Sequence, residues 1–150
     1  MTGLVIISIA FKFASLKEED LETQETLVLI KPDAFAKGIW HKIALDFRKH
    51  HLKIIGAKFI QPNRQLMDKL YQEHREKPFF GGLIDFMTSG LILALCLQGG
   101  SAVKRVREIN EATRKVHASH DHLSANVVHG SDSQESAARE IEIFFGANHN

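Results

Sequence analysis

From Thr26 onward the chain alternates short continuous apolar runs with stretches where apolar residues recur every three or four positions. Leu27–Ile30 is one such run, ended by Lys31-Pro32-Asp33, and it predicts a buried strand entering a tight loop. Ile39, Ile43 and Phe47 recur at four-residue spacing and predict an amphipathic helix over residues 39 to 50. Lys53–Ile60 reads as a second strand, closed by Pro62-Asn63. Leu66, Leu70 and His74, with Met67 and Tyr71 beside them, mark a further helix; Phe80, Leu83, Ile84 and Met87 mark another, stopped by Ser89-Gly90. Leu91–Leu97 is wholly apolar between Gly90 and Gly99-Gly100, too short for a membrane span and suited to a central strand. Ser101 is placed to cap a helix with Ala102, Val106 and Ile109 on one face. Residues 111 to 124 carry no clean period, Ala125–Val128 reads as a short strand, and Ala137, Ala138, Ile141, Phe144 and Phe145 describe a last helix. The pattern is one layered domain of about four strands with helices packed on them, and periodicity alone leaves a parallel and an antiparallel sheet equally open.

The N-terminal stretch stands apart. Leu4–Ala10 is apolar but falls far below the roughly 20 residues of a membrane helix. Only Met1 to Gly3 precede it, without the basic residues of a secretory signal. Residues 1 to 24 therefore read as an extension, residues 25 to 150 as the main domain, and the cytoplasm as the expected location. Composition narrows the function classes. With 44% hydrophobic and 25% charged residues the chain can support a core. A formal charge of +1, from 19 basic and 18 acidic residues, argues against strong nucleic-acid binding by the whole molecule. Cys96, the single cysteine, excludes an internal disulfide framework and a multi-cysteine zinc site.

Three polar constellations remain. Asn126-Val127-Val128-His129-Gly130-Ser131-Asp132-Ser133 spans the junction of the last strand and last helix. Asp132 or Ser133 can cap that helix, and its free N–H groups favour an anion near His129. Glu140, about two turns into the helix, meets His129 only if the intervening loop folds back over those turns. A carboxylate on one imidazole nitrogen would leave the other as a nucleophile. On spacing alone, a core histidine ahead of a capped helix is an equally good reading. The second constellation is Lys31 with the cations of residues 104 to 115: Lys104, Arg105, Arg107, Arg114 and Lys115 against Glu108 and Glu111. Such a focus suits a small polyanion, since arginine offers a bidentate fork to phosphate; a solvated helix face explains Lys104 and Arg105 as well. No Walker-type or dinucleotide-type glycine loop is present. The third is His117-Ala118-Ser119-His120-Asp121-His122, which has donors for zinc or copper but no second cluster to complete a tetrahedral set, so a polar loop is preferred and no metal site is assigned.

Four segments then coincide with one pattern. Thr26-Leu27-Val28-Leu29-Ile30-Lys31-Pro32-Asp33-Ala34, Tyr71 with Lys77-Pro78-Phe79-Phe80, Met87-Thr88-Ser89-Gly90, and Asn126 to Ser133 followed by Glu135-Ser136-Ala137 and Glu140-Ile141 resemble the nucleoside diphosphate kinase family from about Glu25 to Phe145. The resemblance implies an α+β, ferredoxin-like βαββαβ fold with a four-stranded antiparallel sheet. It implies transfer of the terminal phosphate of a nucleoside triphosphate such as ATP to a nucleoside diphosphate, in two half-reactions through a phosphohistidine. By the same resemblance His129 is the nucleophile, Glu140 holds its other nitrogen and Ser131 braces Glu140. Lys31 meets the transferred phosphoryl group and a ribose hydroxyl, Arg107 and Thr113 the inner phosphates, and Asn126 the ribose. Tyr71 sits beside the histidine, and Phe79 stacks on the base, a contact worth roughly 1–3 kcal/mol and indifferent to base identity. Magnesium travels with the nucleotide. A homo-oligomer is implied, with no membrane partner.

The chain also departs from the family. Between Arg107 and Asn126 the usual longer loop, with its prolines and second phosphate-binding arginine, is compressed, and no proline follows Pro78. Arg114 or Lys115 is left to replace that arginine; losing a charged phosphate contact outright costs about 1.5–3 kcal/mol. The same loop builds family trimer contacts, which opens dimer and tetramer beside hexamer. An active phosphotransferase therefore competes with a nucleotide-binding homologue of weak or no catalysis that acts through partners.

Overall fold

A computed structural model describes residues 22–119 and 124–146. The strands are β1 (Thr23–Ile30), β2 (Lys53–Ile60), β3 (Ile92–Gly100) and β4 (Val128–Gly130). They form one sheet in the order β2-β3-β1-β4, antiparallel at every pairing. The helices are α1 (Pro32–Ala36), α2 (Trp40–Lys49), α3 (Arg64–Leu70), α4 (Phe80–Met87), α5 (Ala102–His117) and α6 (Gln134–Phe145), with a 3₁₀ turn at Gln72–His74. β1 and β2 flank β3, and β3 and β4 flank β1, so both βαβ units are split by an antiparallel neighbour. This is the α+β ferredoxin-like βαββαβ arrangement, with α3 and α4 inserted between β2 and β3.

Both faces of the sheet are covered, which is why its central strands read as unbroken apolar runs. Leu27 and Leu29 of β1 pack with Met67, Ile84, Ala137 and Ile141 from α3, α4 and α6. Val28 and Ile30 pack on the opposite face with Ile43, Phe47, Val106 and Ile109 from α2 and α5. The eight residues of β1 pair with β3 in continuous register, Thr23 opposite Gly100 through Ile30 opposite Leu93. The sheet thus takes in Thr23 and Gln24, ahead of the 25 to 150 span; residues 1–21 lie outside the described residues.

Other boundaries shift for local reasons. α5 runs to His117, through the stretch that lacks a clean period, because Arg114 and Thr113 are partly buried there and blur the apolar stripe. Ser101 precedes α5 with φ 48° and its side chain does not cap the helix. β4 is Val128–Gly130, beginning three residues later and ending two residues later than Ala125–Val128, because Val127 has φ 64° and breaks extended geometry. Of the third polar constellation, His117 ends α5 and residues 120–123 lie outside the described residues.

Candidate active site

The site is built where β1 leaves the sheet and β4 enters it. Pro32 occupies the first turn of α1 and forces Lys31 into an extended conformation (φ −84°, ψ 165°). The Lys31 N–H donates to the Val127 carbonyl at 2.8 Å, and Asp33 Oδ2 accepts the Val127 N–H at 3.0 Å. These bonds hold a β-branched residue in the left-handed region, which costs about 1–3 kcal/mol. They bind the Lys31-Pro32-Asp33 turn to the approach to β4.

His129 is the middle residue of β4 and pairs with Leu29. Directly opposed residues share a face, and Leu29 belongs to the face under α6, so the imidazole points toward α6. On α6, Ala137, Glu140, Ile141 and Phe144 form the buried stripe, and one of its four members is a carboxylate. Ser133 caps this helix, accepting the Ser136 N–H at 3.0 Å. The connection Ser131–Ser133 turns α6 back over β1, and Glu140 Oε1 comes within 2.9 Å of His129 Nε2. Ser131 Oγ donates to the same oxygen at 2.9 Å, and its backbone N–H donates to the Leu27 carbonyl at 3.1 Å. An Nε2–H donating to Glu140 leaves the Nδ1 lone pair free. His129 is 21% exposed at its side chain and Glu140 5% overall, so the carboxylate is enclosed while the imidazole has an opening.

Tyr71 stands edge-on to His129 with ring centroids 6.0 Å apart. Its hydroxyl is buried with no hydrogen bond among the described residues, and burial, reinforced by the charge of Glu140, keeps its proton on well above the ordinary range. His74 stacks on Tyr71 at 6.3 Å, and Phe79 lies 5.5 Å beyond His74. Phe79 is 46% exposed, with Lys77 Nζ 5.8 Å from its centroid. Tyr71, His74, His129 and Glu140 line a pocket of about 110 Å³.

The cations lie on the adjoining side. Lys31 is 6% exposed; its Nζ donates to Asn126 Oδ1 at 2.7 Å and to the Ser124 carbonyl at 3.1 Å. Burial, with the positive charge of Arg114 in support, pulls its pKa down to about 8. Arg114 donates through Nε and a terminal nitrogen to the Val128 carbonyl, at 3.3 and 2.8 Å. A cleft of about 780 Å³ is lined by Lys104, Arg107 and Arg114, with Glu108, Glu111 and Asp132 among its acidic members. The Ser136 hydroxyl on Asp132, helped by Ser133 and the charge of Arg107, holds that carboxyl below the usual carboxylate range.

The structure therefore brings together His129, Glu140, Ser131 and Tyr71, joins Lys31 to Asn126, and puts Arg107 and Arg114 in one cleft. Lys115 faces solvent beside Glu111 at 3.9 Å, so of the two cations after Thr113 the cleft receives Arg114. Arg105 turns away to the Gly100 carbonyl and to the His50 carbonyl. Thr113 does not join Arg107: it lines a groove between α2 and α5, its hydroxyl donating to the Ile109 carbonyl at 3.0 Å. Helical phase explains this, since six residues along α5 point to a different side. Sequence reasoning did not single out Asp33, His74 or Arg139. The Tyr71, His74, Lys77 spacing of three residues was a usable signal for His74; adjacency to Glu140 was the only one for Arg139. Among the described residues, no three His, Cys, Asp or Glu side chains group as a metal site, and no helix is long and apolar enough to cross a membrane.

An imidazole held by a buried carboxylate, next to a cation-lined cleft on a split βαβ sheet, is an arrangement chemically able to direct a ring nitrogen at an anion. Comparison with known proteins specifies the class. The family model for nucleoside diphosphate kinase matches residues 24–149. A nucleoside diphosphate kinase of Pyrococcus horikoshii is 44% identical over 135 residues, covering 83% of this chain and 86% of that protein. One from Legionella pneumophila is 45% identical over 128 residues, covering 80% and 91%. Among solved structures, the Aquifex aeolicus nucleoside diphosphate kinase superposes with a TM-score of 0.76 at 36% identity, over 84% of this chain and 97% of that one. A halophilic nucleoside diphosphate kinase from Halobacterium salinarum, in complex with CDP, gives 0.75 at 32% identity, over 85% and 91%. The chain belongs to the nucleoside diphosphate kinase family.

Proposed function

We propose that this protein is an active nucleoside diphosphate kinase and that His129 Nδ1 is its nucleophile. The carrying observation is the 2.9 Å contact between His129 Nε2 and a Glu140 oxygen that Ser131 also holds. In the first half-reaction Nδ1 attacks the terminal phosphorus of a nucleoside triphosphate. A P–N bond forms, the bridging P–O bond breaks, and the diphosphate leaves with the electron pair. The imidazole ring, which gains positive charge, is stabilised by Glu140. The second half-reaction reverses these steps with a different diphosphate. Catalysis of this kind is chiefly alignment and charge stabilisation. Lys31 and the Tyr71 hydroxyl would donate to the transferred group, Arg107 and Arg114 to the inner phosphates, and Asn126 to the ribose. Phe79 would stack on the base. Thr113 would reach a phosphate only from the far side of α5, so it takes no part in holding the inner phosphates. Magnesium enters as part of the substrate, carried by the nucleotide's own phosphates.

The shortened loop supports a second reading, a nucleotide-binding homologue with weak or no catalysis. Incubation with γ-labelled ATP separates the two. Label on the protein that survives base but not acid is expected, and should vanish in His129→Ala. Glu140→Gln, which keeps the shape but removes the charge, should slow labelling by roughly 10- to 100-fold, the equivalent of about 1.5–3 kcal/mol. Unlabelled wild-type protein that still binds ADP would establish the second reading. A cytoplasmic homo-oligomer is the setting we infer, consistent with the lone buried thiol of Cys96.

A further inference from the structure

Two groups of residues must keep a fixed separation if a nucleotide is to span them. Phe79, His74 and Tyr71 belong to the segment that follows α3, whereas His129 and Glu140 belong to β4 and α6. Beside the Tyr71–His129 ring contact and the apolar packing of Leu70 and Tyr71 with Ala137 and Ile141 of α6, a charged side chain joins them. Arg139 projects from α6 next to Glu140, and one of its terminal nitrogens lies 3.8 Å from Glu140 Oε2, the oxygen not engaged by His129. The same nitrogen donates to the Leu70 carbonyl at 3.3 Å and to Glu73 Oε1 at 3.3 Å, and the other terminal nitrogen donates to the Lys69 carbonyl at 3.4 Å. Leu70 immediately precedes Tyr71, and Glu73 immediately precedes His74. Arg139 is 30% exposed at its side chain, which limits how far water screens these contacts.

We infer that Arg139 is a positioning residue that sets the base-side segment at its working distance from the phosphate-accepting histidine. Arg139 lines the same small pocket as His129, but its hydrogen bonds and ion pairs go to Lys69, Leu70 and Glu73 on one side and Glu140 on the other, and it acts through them. The planar guanidinium suits this task because its donors diverge in a fixed fork, which a lysine ammonium cannot reproduce. The inference rests on the phosphohistidine reading above and adds to it a requirement on geometry: a donor with a base needs both groups in register, and a donor without one needs only the histidine.

The test compares two phosphoryl donors on the full chain. ATP carries a base and ribose; phosphoramidate carries neither, and transfers its phosphoryl group to imidazole with loss of ammonia. In Arg139→Gln the ratio of His129 labelling by ATP to labelling by phosphoramidate should fall by roughly 10- to 100-fold, the scale of a misplacement of about 1 Å. Arg139→Lys, which keeps the charge and loses the fork, should lower the ratio as well, and it decides the matter if Arg139→Gln does not fold. A purely structural role would reduce both donors alike and leave the ratio unchanged, and that result overturns the inference alone. Wild-type protein that takes label from neither donor overturns the phosphohistidine reading and this inference with it.

Discussion

Lys31 shows how much one burial decides. An ammonium with a pKa of about 8 sits where the ordinary value is 10.5, because it is desolvated and lies within the field of Arg114. Between those two values the unfolded chain binds a proton that the folded chain lacks, so stability should rise with pH across that window. Below it, the buried charge opposes folding. An anionic nucleotide reverses the balance by favouring the charged form, so binding should take up a proton at pH values just above 8 and weaken as pH climbs further. Calorimetric titration of ADP in buffers of different ionisation enthalpy measures that uptake directly. Lys31→Met should abolish it; an uptake that survives in Lys31→Met would remove Lys31 from the binding site. Lys31 is marked in the sequence by its place after the strand, but the lowered pKa is not legible there, since it depends first on burial by the folded chain and then on Arg114, 83 positions away.

At the level of elements, the fit of α5 against β4 sets where His129 stands. Gly130 has an ordinary backbone conformation, yet a Cβ there would lie 2.6 Å from Asn110 Nδ2 and 3.2 Å from Val106 Cγ1. Asn110 is 1% exposed and cannot swing into solvent. Gly130→Ala should therefore cost about 1–3 kcal/mol through overpacking, read as a lowered denaturation midpoint. Because β4 is pushed off α5, labelling of His129 should slow too. The double variant Gly130→Ala with Asn110→Ala should recover part of the loss, and a strictly additive result would show that the two side chains do not meet. The sequence does not show this close approach at Gly130, which depends on α5 lying across β4. The α6 prediction fared better, because Ser133 and the apolar stripe are local signals that need no partner to be recognised.

For the molecule as a whole, β2 is an edge strand, and it carries Phe59 at 58% exposure. Phe59 meets Trp40 edge-on at 5.2 Å and Phe35 at 6.2 Å, which makes an aromatic surface on an edge that no other strand pairs among the described residues. Such an edge invites association, and it accords with the homo-oligomer we infer. Sedimentation should show a species larger than the 16.9 kDa chain, and Phe59→Lys should shift it toward the monomer. A wild-type monomer at working concentrations would refute the assembly.

Legible in the residues alone were the alternation of strands and helices, a capped start of α6 at either Asp132 or Ser133, and the segments that mark the family. Each is a periodicity or a short motif, legible because it depends on neighbours in the chain. Folding in three dimensions settled the strand order β2-β3-β1-β4, the choice of Arg114 over Lys115 in the cleft, Ser133 as the cap and the outward turn of Thr113. The antiparallel sheet and the Glu140–His129 contact, open on periodicity and spacing, were implied by the family resemblance and are present. Those outcomes depend on which distant backbone lies beside which, and on which of several nearby charges a buried group selects, a competition settled by packing and desolvation rather than by spacing along the chain.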